Sequence, residues 1–415
     1  MPRLIGRALA GVLLAVSAVS AQTALTWEQV RERFRTNNPN LTAARVGVEQ
    51  SKAQEITAFL RPNPDATATL DQLDPFSANP YRPLGNALPL VSGSYLHERE
   101  HKRELRRDSA QGATAIASST LEDQERTLLF TLRGAFVTIL HAKEILKVAR
   151  DNLAYYDRVL EVNRTRQQAG DISEVDLGRL ELQRVQYESD LQTADVSLRT
   201  AKIQLLALLN DRTPIEQFDV NGKFDFSEQV TPLEELRAAA LDARPDLKAA
   251  LQAVTKSKID RQLAIANGSA DPTFGVDFGR NPPIPLYFGA SVTIPLRLFD
   301  RNQGEKLRTQ LDIQRNQALV DAGRAQVFSD VDSAYATIAS NIALLRPYKD
   351  KYLQQAAKVR DTISFAYQNG GASLLDFLSA QADYRNIQLS YLNLVGSYLT
   401  AAGQMNLAVG KEVMP

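Results

Sequence analysis

The chain has 415 residues, with 48 lysine and arginine residues, 48 aspartate and glutamate residues, and no cysteine. Because the charges balance, there is no electrostatic argument for nucleic acid or an anionic membrane surface as a partner. Without cysteine, disulfides, thiolate metal sites, cysteine nucleophiles and an acylated N-terminal cysteine are all excluded.

The start of the chain has the composition of a signal peptide. Arg3 and Arg7 are positively charged, residues 9–19 are mostly apolar, and Ala21 ends a small-residue cleavage site. The apolar stretch is shorter than the roughly 20 residues that cross a bilayer as a helix, and no later window reaches that length. We expect residues 1–21 to be removed on export, and no transmembrane helix.

The mature chain is an internal duplication. Residues 26–41 recur as residues 232–247 in constant register, and a second match near the end of each half keeps its spacing. The second match pairs four residues of the first half with four of the second: Gln168, Gly170, Ser173 and Asp176 with Gln368, Gly370, Ser373 and Asp376. We predict a first repeat over 22–210, a linker over 211–231 and a second repeat over 232–415.

Each half begins with a short helix. In the helix of the first half, Trp27 is expected to be a packing anchor. A strand pair then follows, at about 64–97 in the first half and about 271–297 in the second, with a Pro-rich loop at Asn281 to Pro285. Apolar residues alternate with small or polar ones, which is typical of outer-membrane strands with one lipid face and one wet face. The alternative is a soluble, half-buried sheet.

Four lipid-facing strands could not stand alone. Open strand edges are not tolerated in hydrocarbon, and closed membrane barrels begin at about eight strands. If these strands face lipid, several copies of the chain must share one barrel.

Long heptad patterns follow the strands and predict coiled-coil seams. The first seam comprises Leu128, Leu132, Ala135, Ile139, Ala142, Leu146, Ala149, Leu153, Tyr156 and Leu160. The second comprises Val327, Val331, Ala334, Ile338, Ile342, Leu345, Tyr348, Tyr352, Ala356, Val359, Ile363 and Ala366. Helices of about 70 residues would be on the order of 100 Å long.

Each long helix should end at a glycine turn and be followed by an antiparallel second helix. Gly170 and Gly370 lie where the first helices must stop, and Ser173 and Ser373 lie at the expected N-caps. The predicted tips of the two hairpins are therefore about 168–176 and 368–376.

His97, Glu98 and His101 form a literal H-E-x-x-H, the pattern of zinc peptidases. A metal site here is disfavoured, because a strongly charged run follows and the one other histidine, His141, lies about 60 Å further along the same predicted helix. A solvated helix start is the expected role, and neither a metal nor any other cofactor is predicted.

Over its mature length the chain resembles the TolC-like outer-membrane efflux proteins. The stretch from Ile294 to Gly304 looks like the strand-to-helix junction of the heavy-metal efflux (CzcC-like) branch. The resemblance implies a mainly α fold, in which long coiled-coil hairpins form a periplasmic α-barrel and four transmembrane β-strands per protomer join a shared trimeric β-barrel. The linker would then lie in a mixed equatorial region.

The resemblance also implies roles at the tips. Tyr367 to Leu378 looks like the family's inter-helix turn, where a periplasmic adaptor docks, and this gives Gly170, Ser173, Gly370, Ser373 and Leu374 as docking residues. Asp376 corresponds to a constriction residue, while Tyr367 and Asp176 match positions that help hold the tip closed. The position of an arginine that latches the tip in some members of the family is Ala372 here, and a second aspartate ring is replaced by Ser379. The alternative for Asp376 and Asp176 is a carboxylate that stabilises a helix start.

Three hypotheses result. The first is a passive, non-enzymatic efflux duct: a homotrimer in the outer membrane that works with a periplasmic adaptor (membrane fusion protein) and an RND-type inner-membrane transporter. Its substrates would be heavy-metal cations or, alternatively, organic compounds, drugs or secreted proteins of a type I system. The others are a zinc peptidase and a soluble periplasmic coiled-coil scaffold, neither of which explains the duplicated strand pairs.

Overall fold

A computed structural model of the chain describes residues 24–76 and 80–414. The predicted signal peptide and its cleavage site after Ala21 lie outside these residues. Within them the two halves share one element order, which supports the predicted duplication. The first half contains α1 (Trp27–Asn37), α2 (Pro39–Phe59), β1 (Asp65–Asp71), β2 (Leu88–Leu96), α3 (Lys102–Gln168) and α4 (Glu174–Leu208). The second contains α5 (Leu233–Ala243), α6 (Pro245–Ala266), β3 (Thr273–Asn281), β4 (Ile284–Thr293), α7 (Gln303–Pro347), a π-helical turn (Tyr348–Tyr352), α8 (Leu353–Gln368) and α9 (Leu374–Val409).

The short first helix of each half is in fact two helices. Pro39 and Pro245 each occupy the first turn of the second helix, where the missing N–H costs nothing, while the residue before each proline is extended. Asn38 caps α2 by accepting from the backbone N–H groups of Asn40 and Leu41. The duplicated Pro39 and Pro245 therefore mark a bend.

The four strands form one antiparallel sheet in the order β1-β2-β3-β4, so the two halves meet at the β2–β3 pair. The pairing places apolar side chains in rows on one face; one such row is Ala68, Val91, Phe278 and Phe288. The opposite face carries small or polar residues, such as the row Thr67, Ser92, Asp277 and Gly289. The apolar face is open, with Phe288 72% and Phe278 54% exposed.

Two predicted strand details were wrong. The Pro-rich loop at Asn281 to Pro285 is only a two-residue turn, because Asn281 already pairs with Ile284. The last strand ends at Thr293 rather than near 297, and Pro295, which has no N–H to donate, follows shortly after.

The long helices pack as two hairpins around a shared core. α3 has 67 residues, which corresponds to about 100 Å. The predicted α3 seam from Leu132 to Leu160 is buried or half-buried throughout. In the part of the chain that the structure describes, we find no helix that is long and apolar enough to cross a membrane.

The second seam is buried at each predicted position from Val327 to Leu345 and is confirmed only in part beyond it, where Ala356 and Ile363 are half-buried. The π-helical turn Tyr348–Tyr352 accommodates one additional residue, so the buried face shifts by one position beyond it. Tyr352 and Val359, predicted in the seam, are 43% and 47% exposed, whereas Tyr367 is buried in place of Ala366.

The predicted linker 211–231 runs across the helices with little regular structure. Val220 forms an isolated parallel bridge with Leu25, and Phe218 and Phe226 are buried against the helices. Asp219 binds the Lys143 ammonium of α3 at 2.8 Å. The linker therefore packs against both hairpins and connects them.

Candidate functional site

Both hairpins turn at a glycine with a left-handed backbone. Gly170 has φ +87° and Gly370 has φ +76°, a region that residues with a Cβ seldom adopt. At the first tip the N–H of Asp171 donates to the carbonyl of Arg166 at 2.8 Å, and at the second the N–H of Gly371 donates to that of Ala366 at 2.8 Å. These bonds satisfy carbonyl groups that the helix ends would otherwise leave unpaired.

The next helices begin at serine caps, as predicted. The Ser173 hydroxyl accepts from the backbone N–H of Asp176 at 3.0 Å, and the Ser373 hydroxyl from that of Asp376 at 3.2 Å. At the second tip the cap is reciprocal, because the Asp376 carboxylate also accepts from the Ser373 backbone N–H at 3.1 Å. The Asp376 carboxylate therefore takes part in its cap, whereas Asp176 lies in the first turn of a helix that the Ser173 hydroxyl caps.

The capping role leaves Asp376 exposed and charged. Hydrogen bonds from the side chain and backbone of Ser373 lower the pKa of its carboxyl group. The carboxylate therefore stays ionised further into acid than an ordinary aspartate. A capping carboxylate and a negative charge at the tip are compatible in this residue.

Tyr367 lies between the two hairpins instead of at the surface. It is 6% exposed, its ring stacks on Phe377 with centroids 4.9 Å apart, and its hydroxyl donates to the Oδ1 of Asn163 at 3.2 Å. The Arg166 guanidinium lies 5.4 Å from the ring centroid. Both tips therefore lie at the same end of the molecule and are joined within one chain.

Sequence reasoning missed Asn163 and Arg166. Asn163 is 1% exposed and lies three residues after Leu160, the last position assigned to the α3 seam. A polar residue continuing an apolar heptad pattern was the available signal, because such residues often fix register. No comparable pattern distinguishes Arg166 from the other arginines of α3.

The two tips share their caps but differ in chemistry. Val175 and Leu375 occupy matching positions and are 66% and 73% exposed. The preceding position is Glu174 at the first tip and the half-buried Leu374 at the second. The two tips therefore differ at the position before the exposed apolar residue, which is charged at the first tip and apolar at the second.

The H-E-x-x-H segment is not on a helix. His97 and His101 lie in the connection between β2 and α3, and His101 has a left-handed backbone before the helix begins at Lys102. Glu98 is paired with the Arg106 guanidinium, from which its carboxylate accepts two hydrogen bonds, one of them at 2.9 Å. Over residues 24–76 and 80–414, no group of three or more potential ligands is arranged to hold a metal ion. The expected helix start was wrong by a few residues.

Comparisons with known proteins agree with this fold. No family model matches the chain. It is 24% identical over 372 residues to the cobalt-zinc-cadmium resistance protein CzcC of Cupriavidus metallidurans, covering 86% of this chain and 83% of that protein. It is 23% identical over 378 residues to the pyoverdine export outer membrane protein OpmQ of Pseudomonas putida, covering 85% and 79%. A solved structure of CusC superposes with a TM-score of 0.77 at 15% identity, covering 93% of this chain and 92% of that one.

The chain thus has the fold of the TolC-like outer-membrane efflux proteins: a mainly helical protomer with a small four-stranded sheet. The resemblance to that family predicted from the sequence is confirmed by these relatives. None of their names describes an enzyme, in agreement with the prediction of a non-enzymatic protein.

Proposed function

We propose that this chain is the outer-membrane channel subunit of a tripartite efflux system. The observation that carries the proposal is the sheet: one face is apolar and open, the other is small and polar, and neither β1 nor β4 has a second partner among the described residues. The sheet continues into hairpins about 100 Å long, which suits a duct that reaches into the periplasm. A cleaved signal peptide over 1–21 accounts for export.

Three copies would complete a twelve-stranded barrel, with β4 of one protomer beside β1 of the next. Because the natural chain lacks cysteine, engineered cysteine pairs report on the contact between β4 and β1 without interference from native thiols. We place cysteine at Thr67 in β1, combined in turn with Gly289, Ser291 or Thr293 in β4, all on the polar face.

Oxidation in the membrane should give disulfide-linked species of up to three chains for at least one pair. The matched control is Thr67→Cys alone, which can link at most two chains. A water-soluble monomer, with no cross-linked species from any pair, would refute the proposal.

At the other end, the tips at Gly170, Ser173, Gly370, Ser373 and Leu374 dock a periplasmic adaptor. The exposed Val175 and Leu375 supply apolar contacts there, and an RND-type inner-membrane transporter supplies the energy. A photo-cross-linking residue at Leu375 should capture the adaptor, while the same residue at exposed Leu182, further along α4, should not.

The substrates are heavy-metal cations. The similarity to CzcC supports this class, as does the junction from Ile294 to Gly304. The test is growth in cobalt, zinc and cadmium of cells with and without the gene. A second candidate is organic export, which the similarity to OpmQ favours. In that case gene loss would sensitise cells to organic compounds and leave metal tolerance unchanged.

Asp376 forms the aperture of the duct, and Asp176 and Tyr367 help hold it closed. Three Asp376 carboxylates around an axis would favour cations and disfavour anions. Support comes from the exposed, ionised state of Asp376 and from the buried position of Tyr367 between the hairpins. Single-channel cation preference that is unchanged in Asp376→Ala would remove the ring from the mechanism.

A further inference from the structure

A cavity of about 390 Å³ lies where α1, α3 and the end of α9 meet, far from the tips. Its lining includes Trp27 from α1, Leu129, Phe130 and Arg133 from α3, and Leu407 from α9. We call it the Trp27 cavity. Its volume is in the range of small-molecule sites, and it combines apolar walls with a few charged groups.

Most charged side chains of its lining already have partners. Arg31 binds the Glu412 carboxylate at 3.0 Å, and Arg35 binds that of Glu125 at 2.7 Å. Arg126 contacts the Asp123 carboxylate at 2.6 Å. These pairs neutralise one another and leave little net charge on this part of the lining.

Arg133 is different. Among the residues that the structure describes, no carboxylate lies within 4.0 Å of its guanidinium and no hydrogen-bond acceptor is in reach; Glu28 and Glu412 act on it from further away. The group lies 4.7 Å from the centroid of the Trp27 ring. The one other lining cation without a close carboxylate in the described residues is Lys411, which is exposed on the C-terminal tail.

The position of Arg133 is costly without a counter-ion. Burial lowers the pKa of its guanidinium, yet an arginine stays protonated at any physiological pH, so a full charge is held partly out of water. The face of the Trp27 ring compensates for part of this cost. The guanidinium N–H groups have no acceptor among the described residues and are not sealed from the cavity, so an incoming carboxylate, whose geometry they match best, can reach them.

We propose that the Trp27 cavity binds an organic monoanion, a carboxylate with an apolar tail. The carboxylate pairs with Arg133, and the tail lies against Leu129, Phe130 and Leu407. A single negative charge suits the site because Arg133 supplies one unpaired positive charge, while the Glu125 and Glu412 carboxylates of the lining are already paired with Arg35 and Arg31. The site lies far from the tips, and no step of the argument for it depends on the proposed function.

The test exploits Trp27, which is the one tryptophan in the chain. The full-length protein, purified in detergent, is titrated with octanoate while tryptophan fluorescence is recorded. Equilibrium dialysis with radiolabelled octanoate gives the stoichiometry. We expect a saturable fluorescence change and one octanoate per chain. Octanamide, which has the same tail without the charge, and inorganic phosphate, which has charge without a tail, should each bind at least about tenfold more weakly.

Variants separate the charge from the packing. Arg133→Gln should weaken octanoate binding at least about tenfold, while Arg133→Lys, which keeps the charge but not the paired N–H groups, should bind with an affinity between those of Arg133→Gln and the unaltered protein. The matched control is Arg199→Gln, since Arg199 is an exposed arginine of α4 paired with Asp195. Circular dichroism checks that each variant is folded. The proposal is overturned if dialysis finds no saturable site, if octanamide binds as well as octanoate, or if Arg133→Gln binds octanoate like the unaltered protein.

Discussion

The phenolic hydroxyl of Tyr367 donates a hydrogen bond to the side-chain oxygen of Asn163, 204 positions earlier in the chain. The contact is buried and joins the end of α8 to α3. The Asn163 amide also donates to the carbonyl of Val159 at 2.8 Å, which fixes its orientation. One side-chain contact therefore couples the two repeats beside their tips.

Removing one partner of this bond should loosen the tips. In Tyr367→Phe the buried Asn163 oxygen loses its donor, which costs about 1–3 kcal/mol of local stability. Replacing both partners, as in Tyr367→Phe with Asn163→Leu, should cost less than the sum of the single changes. Hydrogen exchange of amides near 363–368 measures the local opening free energy. Additive effects would show that the two residues act independently.

Alanine at the tip glycines should strain the backbone without a clash. A Cβ on Gly170 or Gly370 would meet no heavy atom within 4 Å, so the cost of the left-handed conformation, about 1 kcal/mol, should be seen alone. Gly178 in α4 is the matched control, because its surroundings are equally open and its φ is not positive. Gly178→Ala should stabilise by about 0.5–1 kcal/mol. Hydrogen exchange at each tip measures whether a substitution stabilises or destabilises the local structure. Equal changes in stability at Gly170, Gly370 and Gly178 would contradict this reasoning.

The Asp376 charge should persist in acid. Because Ser373 lowers the pKa of the Asp376 carboxyl group, cation preference should survive as pH falls to the ordinary aspartate pKa of about 3.9, and vanish only below it. Ser373→Ala should move the loss of preference to higher pH. The cation preference is measured at each pH from the reversal potential in a salt gradient. Asp176→Asn is the control at the other tip. A loss centred above pH 4 in the unaltered protein would argue against Asp376 as the titrating group.

His141 should make the protein less stable as pH falls. Burial lowers the pKa of its imidazole, which stacks on Phe224 and contacts the Asn393 side chain at 3.0 Å. In the unfolded chain a histidine takes up a proton near pH 6.5, before the folded state does, so stability should decline as pH falls below that value. His141→Gln should flatten the decline in Tm between about pH 6.5 and 5, whereas exposed His101→Gln should not. An unchanged slope in His141→Gln would exclude its titration as the cause.

Much of the fold could be predicted because its signals are local. The caps at Ser173 and Ser373, the turns at Gly170 and Gly370 and the α3 seam all depend on residues within a few positions of one another. The four strands were also predicted, because a period of two is visible in three of the segments and a weaker strand could be placed between Ala87 and Leu96.

The remaining features depend on contacts between distant segments. The pairing of Tyr367 with Asn163 and the Trp27 cavity, which joins α1 to the end of α9, have no sequence period that reveals them. The loop at Asn281 to Pro285 was predicted too long, because composition marks a turn better than it marks where strand pairing stops.

The π-helical turn Tyr348–Tyr352 determines which side chain reaches Asn163. In an α-helix each residue advances by about 100°, so if the same residues were wound as regular α-helix through this turn, everything that follows would be rotated by about that angle. Ala366 would then face α3, and the Tyr367 phenol would swing toward solvent. The hydroxyl that connects the repeats thus depends on the width of a helical turn more than ten positions away, whose own side chains take no part in the connection.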